Sequence, residues 1–104
     1  MSNGVVIKQG KVSRVDVKSG VIKGPVGDAH AKAAASDGDY IVIVYDNGRA
    51  ARYRADTGVT LGPVGNGTGS AVSCGISDGI ILLTDAKGHS MRYDARGGSV
   101  KGSA

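Results

Sequence analysis

Gly48-Arg49-Ala50-Ala51-Arg52-Tyr53-Arg54-Ala55-Asp56-Thr57-Gly58, closed by Gly62, is the stretch on which the reading of this chain turns. The same frame recurs before it as Gly10, Arg14, Gly20, Gly24 and after it as Gly88, Arg92, Gly98, Gly102. Its copies are spaced by 38 and then 40 residues, so one supersecondary unit is used three times. The units run over 1–27, 28–65 and 66–104 of a single repeat domain.

Within each frame, a basic face (Arg14, Arg52, Arg92) alternates with an apolar one (Val15, Tyr53, Tyr93), which is the pattern of a half-buried strand. Upstream lies an apolar run: Val5-Val6-Ile7, Tyr40-Ile41-Val42-Ile43-Val44-Tyr45, and Ile80-Ile81-Leu82-Leu83. Continuous apolar residues predict strands buried on both faces. The runs join the frames through Asp46-Asn47-Gly48 and Asp85-Ala86-Lys87-Gly88, and Asn-Gly between strands is a strong hairpin signal.

Before the second and third runs lie Ala31 to Ala35 and Ala71 to Ile76, each ending in Ser-Asp-Gly. The second of these carries Val, Ser, Cys and Gly where the first carries Ala, so both read as strands in a crowded position. Short outer strands follow each frame, at Val21 to Lys23, Val59 to Leu61 and Ser99 to Lys101. The first two lead into an identical Gly-Pro-Val-Gly at 24–27 and 62–65.

Composition agrees. All nine acidic residues are Asp and none is Glu, beside 18 Gly, 13 Val and 7 Ile, which favours turns and strands over helices. Phe and Trp are absent and only four Tyr are present, so small and β-branched residues must fill the core. The fold class is all-β.

The order Ser-Asp-Gly, buried strand, Asp-Asn-Gly, then Arg-Tyr-Arg-Ala-Asp-Thr-Gly resembles that of β-propeller blade repeats of the WD40-like and bacterial type. Tyr93-Asp94 stands where those repeats carry Trp-Asp, and Thr57-Gly58 where many carry Thr-Gly. Gly-Pro-Val-Gly replaces their Gly-His, so the resemblance is to a propeller-like blade and brings none of the WD40 partners with it. It implies about two and two-thirds four-stranded blades per chain, because Met1 aligns with Asp39 and Gly79 and the first unit has no inner strand.

Closed propellers have about 4 to 8 blades. Two chains supply about six, so the resemblance predicts a ring completed by oligomerisation, with a homodimer as the expected partner arrangement. Small bacterial and fungal lectins are similar in assembling rings from short propeller chains, but their Trp-rich sugar sites are missing here. A β-trefoil or β-prism monomer is the alternative architecture.

In a propeller, the loops entering the inner strands gather at the channel mouth. That places Asp28, His30 and Lys32 of the second unit, and Asn66, Thr68 and Ser70 of the third, as candidate ligand-binding residues. The ligand expected there is a small polar or anionic molecule or a protein. His89 and Ser90 are adjacent on a strand and point to opposite faces, so they cannot act as base and nucleophile. Cys74 reads as an inert core thiol.

The recurring arginines suggest a structural role, through an ion pair with Asp46 or Asp85. Asp37, Asp39 and Asp46 lack the spacing of a calcium loop, and Gly65 to Ser70 lacks the Lys-Ser/Thr of a phosphate cradle. No metal site, cofactor or catalytic set is therefore expected.

The net charge of +4 resides in the first unit, where Lys8, Lys11, Arg14, Lys18 and Lys23 face only Asp16. That unit carries no stacking aromatic, so nucleic acid is not an expected partner. Neither a leader nor a membrane span is expected, and the single cysteine fits a cytoplasmic or virion-associated setting. The reading is a non-enzymatic binding or assembly module, with a structural component of a phage particle or cell surface as the alternative.

Overall fold

The computed structural model describes residues 3–64 and 71–103. Every element in it is a strand. β1 (Asn3–Lys8), β2 (Lys11–Asp16) and β3 (Ile22–Val26) form a three-stranded antiparallel sheet in chain order. β4 (Ala31–Ser36), β5 (Tyr40–Tyr45), β6 (Ala50–Arg54) and β7 (Thr60–Pro63) form a second sheet. β8 (Ala71–Ser77), β9 (Ile80–Asp85), β10 (Ser90–Asp94) and β11 (Val100–Ser103) form the third.

The sheets stack side by side, β4 lying against β1, and β8 against β4 and β5. No barrel closes among the described residues, which is the feature that a β-trefoil would require. Among them, too, no helix is long and apolar enough to cross a membrane.

Two layers of side chains hold the stack. Val12 and Val26 of the first sheet meet Ile41, Ile43, Tyr53 and Ala55 of the second. On the opposite face of the second sheet, Val42, Val44, Ala50 and Val64 meet Ala71, Ile81 and Ala95 of the third. β5 thus buries successive residues on both faces, as its unbroken apolar run predicts.

The same prediction fails for β1 and β9. Val6 is 45% exposed and Leu82 36%, although both lie in apolar runs. Among the described residues only the middle sheet has a neighbour on each side, so the outer two bury one face each.

The outer strands also begin later and run further than the sequence suggests. Gly24-Pro25-Val26 and Gly62-Pro63 belong to β3 and β7, with Pro25 opposite Ser13 and Pro63 opposite Ala51. A proline is tolerated there because an outermost strand leaves its far side unpaired.

Across each junction an arginine spans two sheets. Arg14 Nη1 donates to the carbonyls of Asp56 at 2.7 Å and Ala55 at 3.5 Å. One unit later, Arg52 Nη1 donates to those of Arg96 at 2.8 Å and Ala95 at 3.0 Å. Arg52 also reaches Leu61 O at 2.9 Å and Pro63 O at 3.3 Å in its own sheet. The expected pairing with Asp46 or Asp85 does not occur: the guanidinium points along the stack at backbone carbonyls, whereas Asp46 and Asp85 sit in the hairpins and turn their carboxylates or backbone to local partners.

Arg52 is only 6% exposed, and its four carbonyl contacts replace the water it gives up. Truncating it deprives four carbonyls of this donor, the buried Ala95 O among them, so Arg52→Ala is expected to cost about 3 kcal/mol in urea unfolding. Arg52→Lys should recover little of this, because one ammonium cannot span two sheets and four acceptors.

A second expected outcome concerns Gly98. It has φ of +76°, and a Cβ there would lie 2.9 Å from Arg52 Nε. Gly88, at φ +86°, has nothing within 4 Å of such a Cβ. Both alanine variants incur backbone strain of about 1–2 kcal/mol, and Gly98→Ala should lose clearly more than Gly88→Ala because it also displaces Arg52.

Candidate functional site

The chain passes from the first sheet to the second through Asp28-Ala29-His30, and the backbone turns sharply at His30, with φ of +71°. Two bonds fix this corner: Ala31 N donates to Gly10 O at 2.9 Å and Asp46 N to His30 O at 2.8 Å. The loop is thereby tied to the hairpins on both sides, and the exposed side chains of Asp28 and His30 stand at the rim of a cavity of about 660 Å³.

Tyr45 and Tyr53 form the inner wall. Their hydroxyls lie 2.5 Å apart, and Tyr45 Oη accepts from the Asp28 backbone N–H at 3.0 Å. Burial raises the Tyr53 hydroxyl pKa above its ordinary value, and the Tyr45 hydrogen bond and the Asp28 charge push it the same way. Gly27 is held in this corner because a Cβ would overlap both hydroxyls, and its φ is +70°. Asp46, Asn47, Arg49 and Thr60 add to the polar part of the lining, and Ala51 and Pro63 to the apolar part.

Lys32 lies elsewhere. A bulge between Ala31 and Ala33 breaks the alternation of β4, and Lys32 lines a separate cavity of about 530 Å³ with Asp46, Asp85, Lys87 and His89. Asp28 and His30 therefore share one cavity, and Lys32 belongs to the next. Asn66, Thr68 and Ser70 lie outside the described residues.

At the opposite end of the sheets is a third, more polar cleft of about 450 Å³, lined by Asp37, Asp39, Tyr40, Arg54, Asp56 and Arg96 among others. Several of its charged groups have fixed partners. Arg54 Nε meets Asp56 Oδ1 at 3.1 Å, which lowers the Asp56 pKa, and the Tyr40 hydroxyl raises that of Arg96. Asp37 closes its own turn through the amides of Asp39 and Tyr40, both at 2.9 Å. Its second oxygen accepts from Gly79 N at 2.7 Å, buckling the second sheet to the third.

The remaining reactive groups have structural partners. Ser90 Oγ pairs with Thr84 Oγ1 at 2.8 Å, while His89 is exposed with Nδ1 3.8 Å from Asp85 Oδ2. Among the described residues, no group of three His, Cys, Asp or Glu side chains is gathered closely enough to hold a metal ion. Cys74 packs in the junction between the second and third sheets, and burial pushes its thiol up to about 11. The Tyr45–Tyr53 pair carries no signal in the sequence: Tyr53 lies opposite Ile41 in the register and Tyr45 opposite Arg49 beside the hairpin, so the two hydroxyls meet diagonally along one face of the sheet.

No family model matches the chain, and no curated protein matches it in sequence. Among solved structures, it is similar to the crystal structure of the computationally designed Ika8 protein. The TM-score is 0.73 at 18% identity, over 98% of this chain and 34% of that one. The chain thus spans about a third of that protein's length, and the likeness is one of fold.

Because burial raises the folded thiol above its ordinary value of 9.0, the fold favours the neutral form. That contribution is fully present below the ordinary value and is lost as pH rises through about 11. Stability should therefore fall between those limits, and Cys74→Ala should flatten this part of the profile. At pH 8 the native thiol should react with a thiol reagent far more slowly than in denaturant.

Proposed function

We propose that this chain is a non-enzymatic binding and assembly module built from propeller-type blades, and that its ligand seats in the cavity between the Asp28–His30 loop and the Tyr45–Tyr53 wall. The observation that carries the reading is that cavity: an open space of about 660 Å³ with an apolar floor and convergent polar groups at its rim. His30, Arg49 and one of the two mutually bonded tyrosine hydroxyls offer donors, and Asp28 and Asp46 offer acceptors. A small polar molecule bearing hydroxyl or carboxylate groups matches that set.

The repeated four-stranded meander, in sheets stacked through their inner strands, supports the blade reading. Reaction chemistry finds no comparable support, since the burial that raises Cys74 makes it a poor nucleophile and Ser90 is bonded to Thr84 rather than to a base.

A structural role is the second reading, favoured by one observation. The outer faces of the first and third sheets expose Val6, Val17 and Leu82, so the stack could be continued by further copies. A binding module would close into an oligomer of fixed mass, whereas a structural component would grow into an open assembly.

Amide chemical-shift mapping with small polyols and carboxylates tests the ligand site. Shifts are expected to cluster at residues 28–30, Tyr45 and Tyr53, and to weaken in His30→Ala and Tyr53→Phe. Perturbations that avoid this corner, or that persist unchanged in both variants, would remove the cavity from the proposal.

A further inference from the structure

The arginine contact is repeated at two junctions, and each half of it reappears unused at the two ends of the stack. Arg14 and Arg52 each donate to two successive carbonyls of the following unit. Arg92, the third member, is exposed and, among the described residues, reaches into its own sheet, with Nη2 3.5 Å from Lys101 O.

The acceptor half on the first sheet has no arginine against it among the described residues. Arg14 meets the carbonyls of Ala55 and Asp56, and Arg52 those of Ala95 and Arg96. In the repeat, these pairs correspond to Val17 and Lys18. The turn that presents them is the same in all three units. Gly20 N donates to Asp16 O at 2.7 Å, Gly58 N to Arg54 O at 2.8 Å and Gly98 N to Asp94 O at 2.6 Å. The three glycines have φ of +74°, +77° and +76°.

The first of these turns is formed but empty. A Cβ on Gly58 would meet Arg14 at 3.2 Å and one on Gly98 would meet Arg52 at 2.9 Å, whereas one on Gly20 would meet nothing within 4 Å. The apolar neighbours differ in the same way. Ala55 and Ala95 are fully buried under the preceding sheet, while Val17 at their position is 65% exposed. Leu82, the counterpart of the buried Val42 beside its arginine, is likewise uncovered on the third sheet.

Deepening the assembly half of the function proposed above, on which it rests, we infer that the third sheet docks on the first sheet of a second copy of this chain. The Arg92 guanidinium donates to the carbonyls of Val17 and Lys18 of that copy and packs over its Gly20. The occupant is another copy because both halves of the contact are present in one molecule, with the donor on one end and the acceptor turn on the other. Such a head-to-tail contact is heterologous: it closes a ring if the rotation allows and otherwise extends. Two copies would bring six sheets into one ring, within the usual range of about 4 to 8. Arg52 already donates to the carbonyl of a basic residue, Arg96, so a lysine at the acceptor position, as at Lys18, is compatible with the contact.

The test is light scattering coupled to size exclusion, together with sedimentation equilibrium, on the 104-residue chain, Arg92→Ala, Val17→Asp and the double variant. Both positions are exposed in the single chain, so circular dichroism should report an unchanged fold. The wild type is expected at a multiple of 10.4 kDa. Each single substitution should weaken association at least about tenfold, and the double variant should be no weaker than the worse single one, as residues sharing one contact are not additive. A closed dimer and a growing assembly both support the inference if they respond in this way. A wild type that stays monomeric overturns the inference together with the assembly half of the proposed function. A wild-type oligomer indifferent to both substitutions overturns this contact alone and leaves that function standing.

Discussion

The stack depends on a guanidinium buried between sheets and satisfied by backbone carbonyls. Arg52 is nearly inaccessible and would be costly there as an unpaired charge, since desolvation opposes burial of any ion. Four carbonyl oxygens answer that cost, two of them in the next sheet and two in its own. An arginine suits this position better than a lysine because its planar fork can address several acceptors at fixed angles. The apolar layers beside it are thin, made mostly of Val, Ile and Ala, so the sheets approach closely enough for one side chain to bridge them.

Much of this was legible in the chain. The repeat fixed the number of units, the hairpins and the strand order, because Gly, Asp and Asn at turn positions have steric and hydrogen-bonding reasons to be there. The partners of the arginines were not legible. A period of about 40 residues says that Arg14, Arg52 and Arg92 occupy equivalent places, but not which neighbouring unit they face. Apolar runs were similarly ambiguous: Tyr40 to Tyr45 and Ile80 to Leu83 look alike, yet only the first lies between two sheets and is covered on both faces. The overrun of β3 and β7 into Gly-Pro was hidden by the usual reading of that dipeptide as a turn.

The candidate site shows a different limit. Asp28, His30 and Lys32 are spaced by two, which in a regular strand puts them on one face. His30 adopts a left-handed backbone and a bulge follows at Ala31 to Ala33, so the period is broken twice within four residues. Asp28 and His30 consequently open onto one cavity and Lys32 onto its neighbour. The tyrosine pair that walls the first cavity lies on β5 and β6, eight residues apart, and its closeness depends on the hairpin register and on Gly27 leaving room for both hydroxyls.

The carbonyl acceptors also explain why the recurring frame has the form it does. An arginine that binds main-chain oxygens places no demand on the side chains carrying them, so the acceptor pairs can be Ala55-Asp56 in one unit and Ala95-Arg96 in another. The residue that follows two positions later has no such freedom. Gly58 and Gly98 need a left-handed backbone to shape the turn, and each lies against the guanidinium, where a methyl group would press tightly on Arg14 and collide with Arg52. Side-chain identity is thus released at the acceptors and tightly restricted at the donor and at the glycine. A repeat held by this contact can vary almost everywhere else and still stack, which is why arginine and glycine are the letters that recur while the residues between them differ from unit to unit.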